Sequence, residues 1–387
     1  MNSGEVNIEP ALAALAAALH GEGPAVELSV GPDGSPVVGL VETPGFEDAA
    51  VVVRTSGSTG APKATVLTVD ALAASSMATA MALKGEGQWL LALPLQYVAG
   101  VQVLVRSLFA GTRPWAMDLS GGFTPEAFTA AAQELTDKLR FTSLVPTQLQ
   151  RLLDTPSAET LAALRRFNAV LLGGAPASAG LLAAARDAGV RVVTTYGSAE
   201  TCGGCVYDGV PLDGVEVRLA DDGRILLGGA TIAAGYLGAP ELSAETFVED
   251  EGVRWYRTSD LGALAADGTL TVLGRADDVV ITGGVKVSAA HVQAELERLE
   301  GVRAAFVAGV PSAEWGQALA AYVVLADPSP AAADDFRARF AAGSLGALTG
   351  ALAPKTLLTA AELLMLPNGK PDRLGMTVRL EALHQGK

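Results

Sequence analysis

Ala50-Val51-Val52-Val53-Arg54-Thr55-Ser56-Gly57-Ser58-Thr59-Gly60-Ala61-Pro62-Lys63 runs an apolar segment straight into a loop of glycine and hydroxyl residues ending on a cation. The apolar half reads as a strand and the loop as its exit. Such a loop offers backbone N–H groups and hydroxyls without bulk, and Lys63 adds a charge, so Thr55 to Gly60 with Lys63 suit a phosphate chain. It is not a Walker A loop, because no Gly-Lys-Ser/Thr follows at the required spacing. A Ser/Gly-rich surface turn is the plain alternative.

Outward from this loop, from Ala50 to Thr195, apolar runs alternate with Ala/Leu-rich helical stretches. Ala50–Arg54, Trp89–Leu93, Phe141–Val145, Ala169–Leu172 and Val190–Thr194 read as strands. Val69–Leu83, Val98–Ala110, Pro125–Asp137, Pro146–Leu153 and Ser178–Asp187 read as helices. Strands buried on both faces between helices predict a parallel α/β sheet. After Gly204 the segments shorten to Val215–Leu219, Arg224–Leu227, Trp255–Thr258, Gly262–Ala265 and Thr271–Leu273, punctuated by Asp-Gly at 213–214, 222–223 and 267–268. That texture predicts an antiparallel meander or small barrel.

Near Asp277 a last module begins. It holds a strand pair around Gly283-Gly284, a helix Ser288–Leu299, strands Val302–Gly309 and Leu319–Leu325, a helix near Ala331–Ala342 and a terminal loop. The expected division is 1–275 and 276–387.

With 387 residues, half of them apolar and 18% charged, the chain can bury a large core in two or three units. Its 27 Lys and Arg against 42 Asp and Glu give a net charge of −15, which argues against a nucleic-acid or anionic-membrane partner. A polyanionic substrate must then be held by a few placed cations, backbone N–H groups and a metal. The apolar stretch Ala11–Leu19 follows Glu5 and Glu9 rather than a basic leader, and is too short to span a bilayer. An amphipathic helix, no membrane insertion and a cytoplasmic location are expected. The two cysteines, in Cys202-Gly203-Gly204-Cys205, permit a redox pair or zinc half-site, but the scattered His20, His291 and His384 supply no obvious further ligands. A loop that lies close to a ligand is the preferred reading.

Three further motifs carry candidate chemistry. In Tyr196-Gly197-Ser198-Ala199-Glu200-Thr201, Glu200 can hold Mg²⁺ and the Tyr196 ring can stack on a base, although Glu200 could also be a surface residue. Tyr256-Arg257-Thr258-Ser259-Asp260-Leu261-Gly262 places Asp260 fifteen residues before Arg275. A carboxylate accepts both hydrogen bonds of a ribose diol, but a local Asp–Arg pair at a strand end is equally ordinary. Leu366-Pro367-Asn368-Gly369-Lys370-Pro371-Asp372-Arg373 makes a tight turn with Lys370 at its tip; a lone turn lysine is usually a solvated charge.

In this order, with Gly283-Gly284-Val285-Lys286 between the last two, the motifs resemble the adenylate-forming superfamily of acyl-CoA synthetases, peptide-synthetase adenylation domains and beetle luciferases. The resemblance runs from about Ala50 to Arg373. It implies an α/β fold: a large N-terminal domain of α/β layers plus a small β-barrel, and a smaller mobile α+β C-terminal domain. Within the superfamily the chain looks like the o-succinylbenzoate–CoA ligases of menaquinone biosynthesis, in a compact form whose shortfall lies ahead of the phosphate loop. Leu93-Pro94-Leu95-Gln96-Tyr97-Val98-Ala99-Gly100, Val103–Leu108, Leu144–Leu149 and Glu200–Gly209 carry that closer likeness.

The resemblance implies an AMP-forming acid–thiol ligase using ATP, Mg²⁺ and coenzyme A on a small carboxylic acid, and is compatible with a homodimer. The phosphate loop with Gly174, Tyr196, Gly197, Ala199, Asp260 and Arg275 would bind ATP or AMP, and Glu200 the metal. Gln96, Tyr97, Arg106, Gly173, Gly174 and Ser198 would line the acyl site. Lys370 would bridge carboxylate and phosphate in the first half-reaction. Rotation about a hinge at Asp277 would then withdraw it and bring up Gly283, Gly284 and Lys286 on the CoA side. Arg106 is the expected partner of a second substrate carboxylate, with a surface helix arginine as its alternative. Ala199 departs from the usual Thr or Ser, and Gln96 from a frequent His. A ligase for another aryl or medium-chain acid, a carrier-protein-loading enzyme and a non-enzymatic nucleotide-binding module are the alternatives.

Overall fold

A computed structural model describes residues 6–56, 62–343, 346–366 and 371–386. Its central sheet has seven strands, in the order Val210–Pro211, Gly203–Tyr207, Val192–Ser198, Ala169–Leu172, Arg140–Leu144, Gln88–Leu91 and Trp115–Ala116. The last five pair in parallel and the first two run antiparallel. Successive strand residues point to opposite faces, and both faces are covered. Trp89, Leu91, Phe141, Ala169 and Leu171 enter one core with Leu72 and Leu104 of the helices Val69–Leu83 and Val98–Phe109. Leu90, Ala92, Leu144, Val170 and Leu172 enter another with Phe128, Leu149, Leu164 and Leu181 of the outer helices. This layering is the α/β architecture expected from the sequence.

One strand is elsewhere. Ala49–Ser56 belongs to a second sheet, ordered Gly235–Tyr236, Pro62–Thr68, Ala49–Ser56, Ala25–Val30 and Pro36–Val41. It runs antiparallel to Pro62–Thr68, with Thr55 opposite Lys63, so the glycine-rich segment joins a hairpin instead of leaving a parallel strand. The helices Val69–Leu83 and Val98–Phe109 fill the space between the two sheets, and Leu15 of the N-terminal helix Glu9–Leu19 joins the same core.

Downstream, Val215–Leu219, Arg224–Gly229, Val253–Leu264 and Phe247–Asp250 form a third sheet, with Leu270–Arg275 added to the long strand. Gly214, Gly223 and Gly268 take φ of +73°, +81° and +84° at the Asp-Gly turns. The segments expected at Trp255–Thr258 and Gly262–Ala265 are one strand, with a register irregularity between Leu261 and Gly262.

Beyond the turn Ala276–Asp278 a separate sheet begins, ordered Val285–Ser288, Val279–Thr282, Gly316–Leu325 and Val302–Ser312, with Thr356–Ala360 parallel to Gly316–Leu325. Every residue from Ala318 to Leu325 is buried, so both faces of this sheet need cover. Val292, Leu296 and Phe336 from the helices Ala289–Glu297 and Pro330–Ala341 cover one face, and Met376 and Leu380 the other. The latter two sit on a helix, Arg373–Gln385, where a loop was expected. Asp372 caps it, accepting a hydrogen bond from the N–H of Gly375 at 2.9 Å. Ser288 Oγ donates to the Leu273 carbonyl at 3.4 Å, and Arg303 lies 3.9 Å from Asp154, so the module touches the remainder at these two points. No helix among the described residues is long and apolar enough to cross a membrane.

Candidate active site

The site is built where the strands Ala169–Leu172 and Val192–Ser198 end. A Cβ on Gly173 would lie 2.3 Å from Thr195 Oγ1, and one on Gly204 would lie 2.9 Å from Thr195 Cβ. At Gly197 a Cβ would meet the Gly203 carbonyl at 2.2 Å. Gly197 thus lets two backbones meet, and Gly173 and Gly204 leave room for the Thr195 side chain between them. Gly174 follows with φ +81° and Gly203 with φ +94°. The resulting wall is glycine backbone packed around the Thr195 side chain.

At one corner Tyr196 donates its hydroxyl to Asp260 Oδ2 at 2.8 Å. Thr258 Oγ1 accepts from the Asp260 N–H at 3.0 Å and donates to the Ile225 carbonyl at 2.8 Å, which fixes the strand there. Burial raises the Asp260 carboxyl above its ordinary value, against the lowering hydrogen bond from Tyr196 and the charge of Arg275. Burial likewise pushes the phenols of Tyr196 and Tyr256 up, so both remain hydrogen-bond donors. Arg275 stands opposite Asp260 in the strand register. Its guanidinium, however, makes two 2.9 Å hydrogen bonds to Asp277, the residue assigned to the hinge. The expected pair is therefore adjacent on the sheet, but the arginine's direct partner lies on the connection to the last module.

At a second corner Glu200 is buried, and its Oε1 accepts the hydroxyl of Tyr236 at 2.8 Å. Lys63 Nζ lies 5.2 Å from the centre of the same tyrosine ring. Tyr236 was not singled out in the sequence. Its only signal is Gly235-Tyr236 in an apolar stretch, without charge to draw notice. Ala199, on the turn that carries Glu200, is buried. Among the described residues no three His, Cys, Asp or Glu side chains cluster around a metal. One carboxylate with Oε2 lacking a protein hydrogen bond among those residues fits Mg²⁺, which keeps waters and binds largely through substrate phosphates. Gly57, Ser58, Thr59 and Gly60 lie outside the described residues; Thr55, Ser56 and Lys63 flank them on the hairpin.

The acyl candidates separate into two groups. Gln96 and Tyr97 sit just ahead of the helix Val98–Phe109, and Gln96 Oε1 is buried without a hydrogen-bond partner. Arg106, two turns further along that helix, is 6% exposed, which removes the surface reading. No carboxylate among the described residues pairs with it. Its Nε is buried and unpartnered, and its guanidinium lies 5.0 Å from the centre of the Trp89 ring. Burial lowers its pKa, with the nearby Tyr207 opposing. Arg106 faces a cavity of about 10 Å³ with Ser76, Thr79, Leu83, Glu86 and Trp89. Tyr207 links this floor to the glycine wall: its hydroxyl is 3.0 Å from Thr79 Oγ1, and its ring borders Gly204. Beside it, Gln102 Nε2 and Ser75 Oγ both donate to the Cys202 carbonyl. Ser198 is half-buried at the end of its strand, beside Ala199 and Glu200. Cys202 and Cys205 are buried free thiols, and burial pushes Cys205 up to about 12. At that value neither nucleophilic nor redox chemistry is favoured at neutral pH.

In the last module Gly283 and Gly284 take φ of +56° and +82° in a two-residue hairpin, with Lys286 exposed beyond it. Lys370 lies outside the described residues; its flanks Met365 and Pro371 form a bridge.

Glycines at the strand ends, two carboxylates held by phenols and a buried arginine are together the groups that a nucleotide and a carboxylic acid would call for. The chain belongs to the AMP-binding enzyme family, whose pattern matches residues 13–237. Over 286 residues it is 46% identical to a probable 2-succinylbenzoate–CoA ligase of Mycobacterium tuberculosis, covering 73% of either chain. It is 32% identical over 299 residues to the 2-succinylbenzoate–CoA ligase of Listeria monocytogenes, covering 74% of this chain and 62% of that one. Among solved structures it resembles the o-succinylbenzoate CoA synthetase of Bacillus subtilis in complex with its acyl-adenylate intermediate. That match has a TM-score of 0.69 and 26% identity, over 85% of this chain and 69% of that one.

Proposed function

We propose that the chain is an AMP-forming acid–thiol ligase that adenylates 2-succinylbenzoate and passes the acyl group to coenzyme A. The observation that carries the choice of acid is Arg106, a buried cation without an anionic partner among the described residues. One carboxylate of a dicarboxylic aromatic acid would take that place while the other reaches the α-phosphate of ATP. The cavity of about 10 Å³ at Arg106 has room for about one water, so side chains around it must give way to admit the acid. An unpaired charge in such surroundings is costly, and the substrate would relieve it. The relatives of M. tuberculosis and L. monocytogenes, named for the same acid, support the assignment.

In the first half-reaction the substrate carboxylate attacks the α-phosphorus and pyrophosphate leaves. Asp260 accepts hydrogen bonds from the ribose, and Tyr196 holds that carboxylate in place. Lys63 and the loop around Gly57–Gly60 bind the outer phosphates. Glu200 would hold Mg²⁺, whose charge neutralises the triphosphate. Lys370 would bridge the attacking carboxylate and the phosphoryl oxygens and offset the charge that builds there. The module of 276–387 then turns about Asp277, which takes Lys370 out and brings the Gly283–Lys286 hairpin to the site for thiol attack on the acyl-adenylate. Separate sheets on either side of Ala276–Asp278 support that division.

The test is pyrophosphate release and acyl-CoA formation across a panel of acids. Turnover with 2-succinylbenzoate far above benzoate and medium-chain acids is expected. Equal turnover across the panel would remove the dicarboxylate assignment. Transfer to a carrier protein but not to free coenzyme A would remove the acceptor.

A further inference from the structure

Glu200 is gripped from a single direction. The segment Ala233–Tyr236 reaches it twice: the Ala233 N–H donates to the Glu200 backbone carbonyl at 2.9 Å, and the Tyr236 hydroxyl donates to its carboxylate at 2.8 Å. The same segment pairs with the arm that carries Lys63, with Gly235 opposite Val66 and Tyr236 opposite Thr65. Tyr236 thus lies between the two charged groups that would face a metal-bound triphosphate. Its hydroxyl reaches the anion, and its ring stands 5.2 Å from the Lys63 ammonium.

The segment is itself fixed. Arg254 donates to the carbonyls of Ala233 and Ala234. Ser243 Oγ accepts from the Tyr236 N–H at 2.8 Å, and the ring packs 5.2 Å from that of Phe247. Tyr236 is only 2% exposed, so it cannot swing away to solvent. A phenol on Oε1 sets the rotation of the carboxylate and leaves Oε2 as the oxygen for a cation. Partners of this kind outside the ligand shell orient the ligand and tune its affinity for metal.

We infer that Tyr236 is a positioning residue for the metal–triphosphate complex, aiming Glu200 Oε2 at the divalent cation while its ring holds Lys63 on the phosphate side. The inference rests on the proposed role of Glu200 but not on the identity of the acid. Its test is therefore binding, with Mn²⁺ as the probe. Mn²⁺ is titrated into protein and ATP and followed by its electron paramagnetic resonance, alongside ATP binding measured calorimetrically in EDTA. Tyr236→Phe removes one oxygen and keeps the ring.

The variant is expected to bind Mn²⁺ in the ternary complex about tenfold more weakly, with metal-free ATP binding unchanged. In a Glu200→Gln background the same substitution should have no further effect on Mn²⁺. Unaltered Mn²⁺ affinity in Tyr236→Phe would overturn the inference, as would equal losses with and without metal, because either result makes the hydroxyl merely structural. If Mn²⁺ behaves as expected while no acid releases pyrophosphate, the positioning role stands and the ligase reading fails.

Discussion

The proposed nucleotide corner and the proposed acyl floor treat their buried charged groups in opposite ways. At the nucleotide corner each carboxylate already has a phenol: Tyr196 on Asp260 and Tyr236 on Glu200, both at 2.8 Å. On the proposed acyl floor Arg106 Nε is buried without a partner, as is Gln96 Oε1 just ahead of the same helix. Leaving such groups unmade costs stability, of order 1–3 kcal/mol for each neutral group and more for a charge. On the proposed assignment the two ends have different tasks. One would be preorganised for the nucleotide; the other would be completed by an acid whose charge matches Arg106.

Breaking the link between the ends should have the largest effect. Lys370→Ala is expected to slow acid-dependent pyrophosphate release on the order of a hundredfold or more, with ATP affinity retained. Equal rates would leave the two ends without the lysine that the mechanism places between them. The shared wall comes next. Gly197→Ala puts a Cβ 2.2 Å from the Gly203 carbonyl and should lower stability by about 1–3 kcal/mol, read from the midpoint of denaturant unfolding. A midpoint matching the wild type would mean that the wall yields.

The smallest expected effect is a pH dependence confined to the nucleotide corner. Burial first, and repulsion from Asp277 and Asp278, raise Asp260 above the ordinary carboxylate value near about 4. On the proposed assignment its ionised form would bind the ribose, so nucleotide affinity should fall as pH falls through that raised value. The stability linkage has the opposite sign. A raised folded pKa contributes stability below the unfolded value and loses it as pH rises through the folded one. Acid should therefore weaken nucleotide binding without destabilising the fold through this group. In Asp260→Asn, affinity titrations between about pH 4.5 and pH 7 should be weaker and lose the Asp260 component of that dependence.

Much of the architecture was legible because its periods are simple. The helix Val69–Leu83 and the strand Ala169–Leu172 have the bounds expected of them, and the Asp-Gly pairs fall at turns. Ala49–Ser56 was legible as a strand but not as a member of the second sheet, because an apolar run covered on both faces looks the same in either layer. The strand Val253–Leu264 was split in reading because its irregularity at Leu261 and Gly262 breaks the alternation. The terminal helix was hidden by the turn residues before it. The burial of both faces of Gly316–Leu325 is what requires it.

Within the site, charged residues beside glycine announced themselves. Tyr236 did not, since its importance comes from a strand pairing with Pro62–Thr68 more than 160 residues earlier in the chain. Arg275 was read with Asp260, its neighbour across the strands, whereas its hydrogen bonds go to Asp277 two residues on. Strand register could not have decided between them.

The contrast is tested most directly by measuring kcat/KM for pyrophosphate release with 2-succinylbenzoate and with its analogue lacking the ring carboxylate, in the wild type and in Arg106→Met. The wild type should prefer the dicarboxylate by on the order of a hundredfold, as expected for satisfying a buried charge, and Arg106→Met should lose that preference. An identical preference in both proteins would contradict the assignment of Arg106 to the substrate.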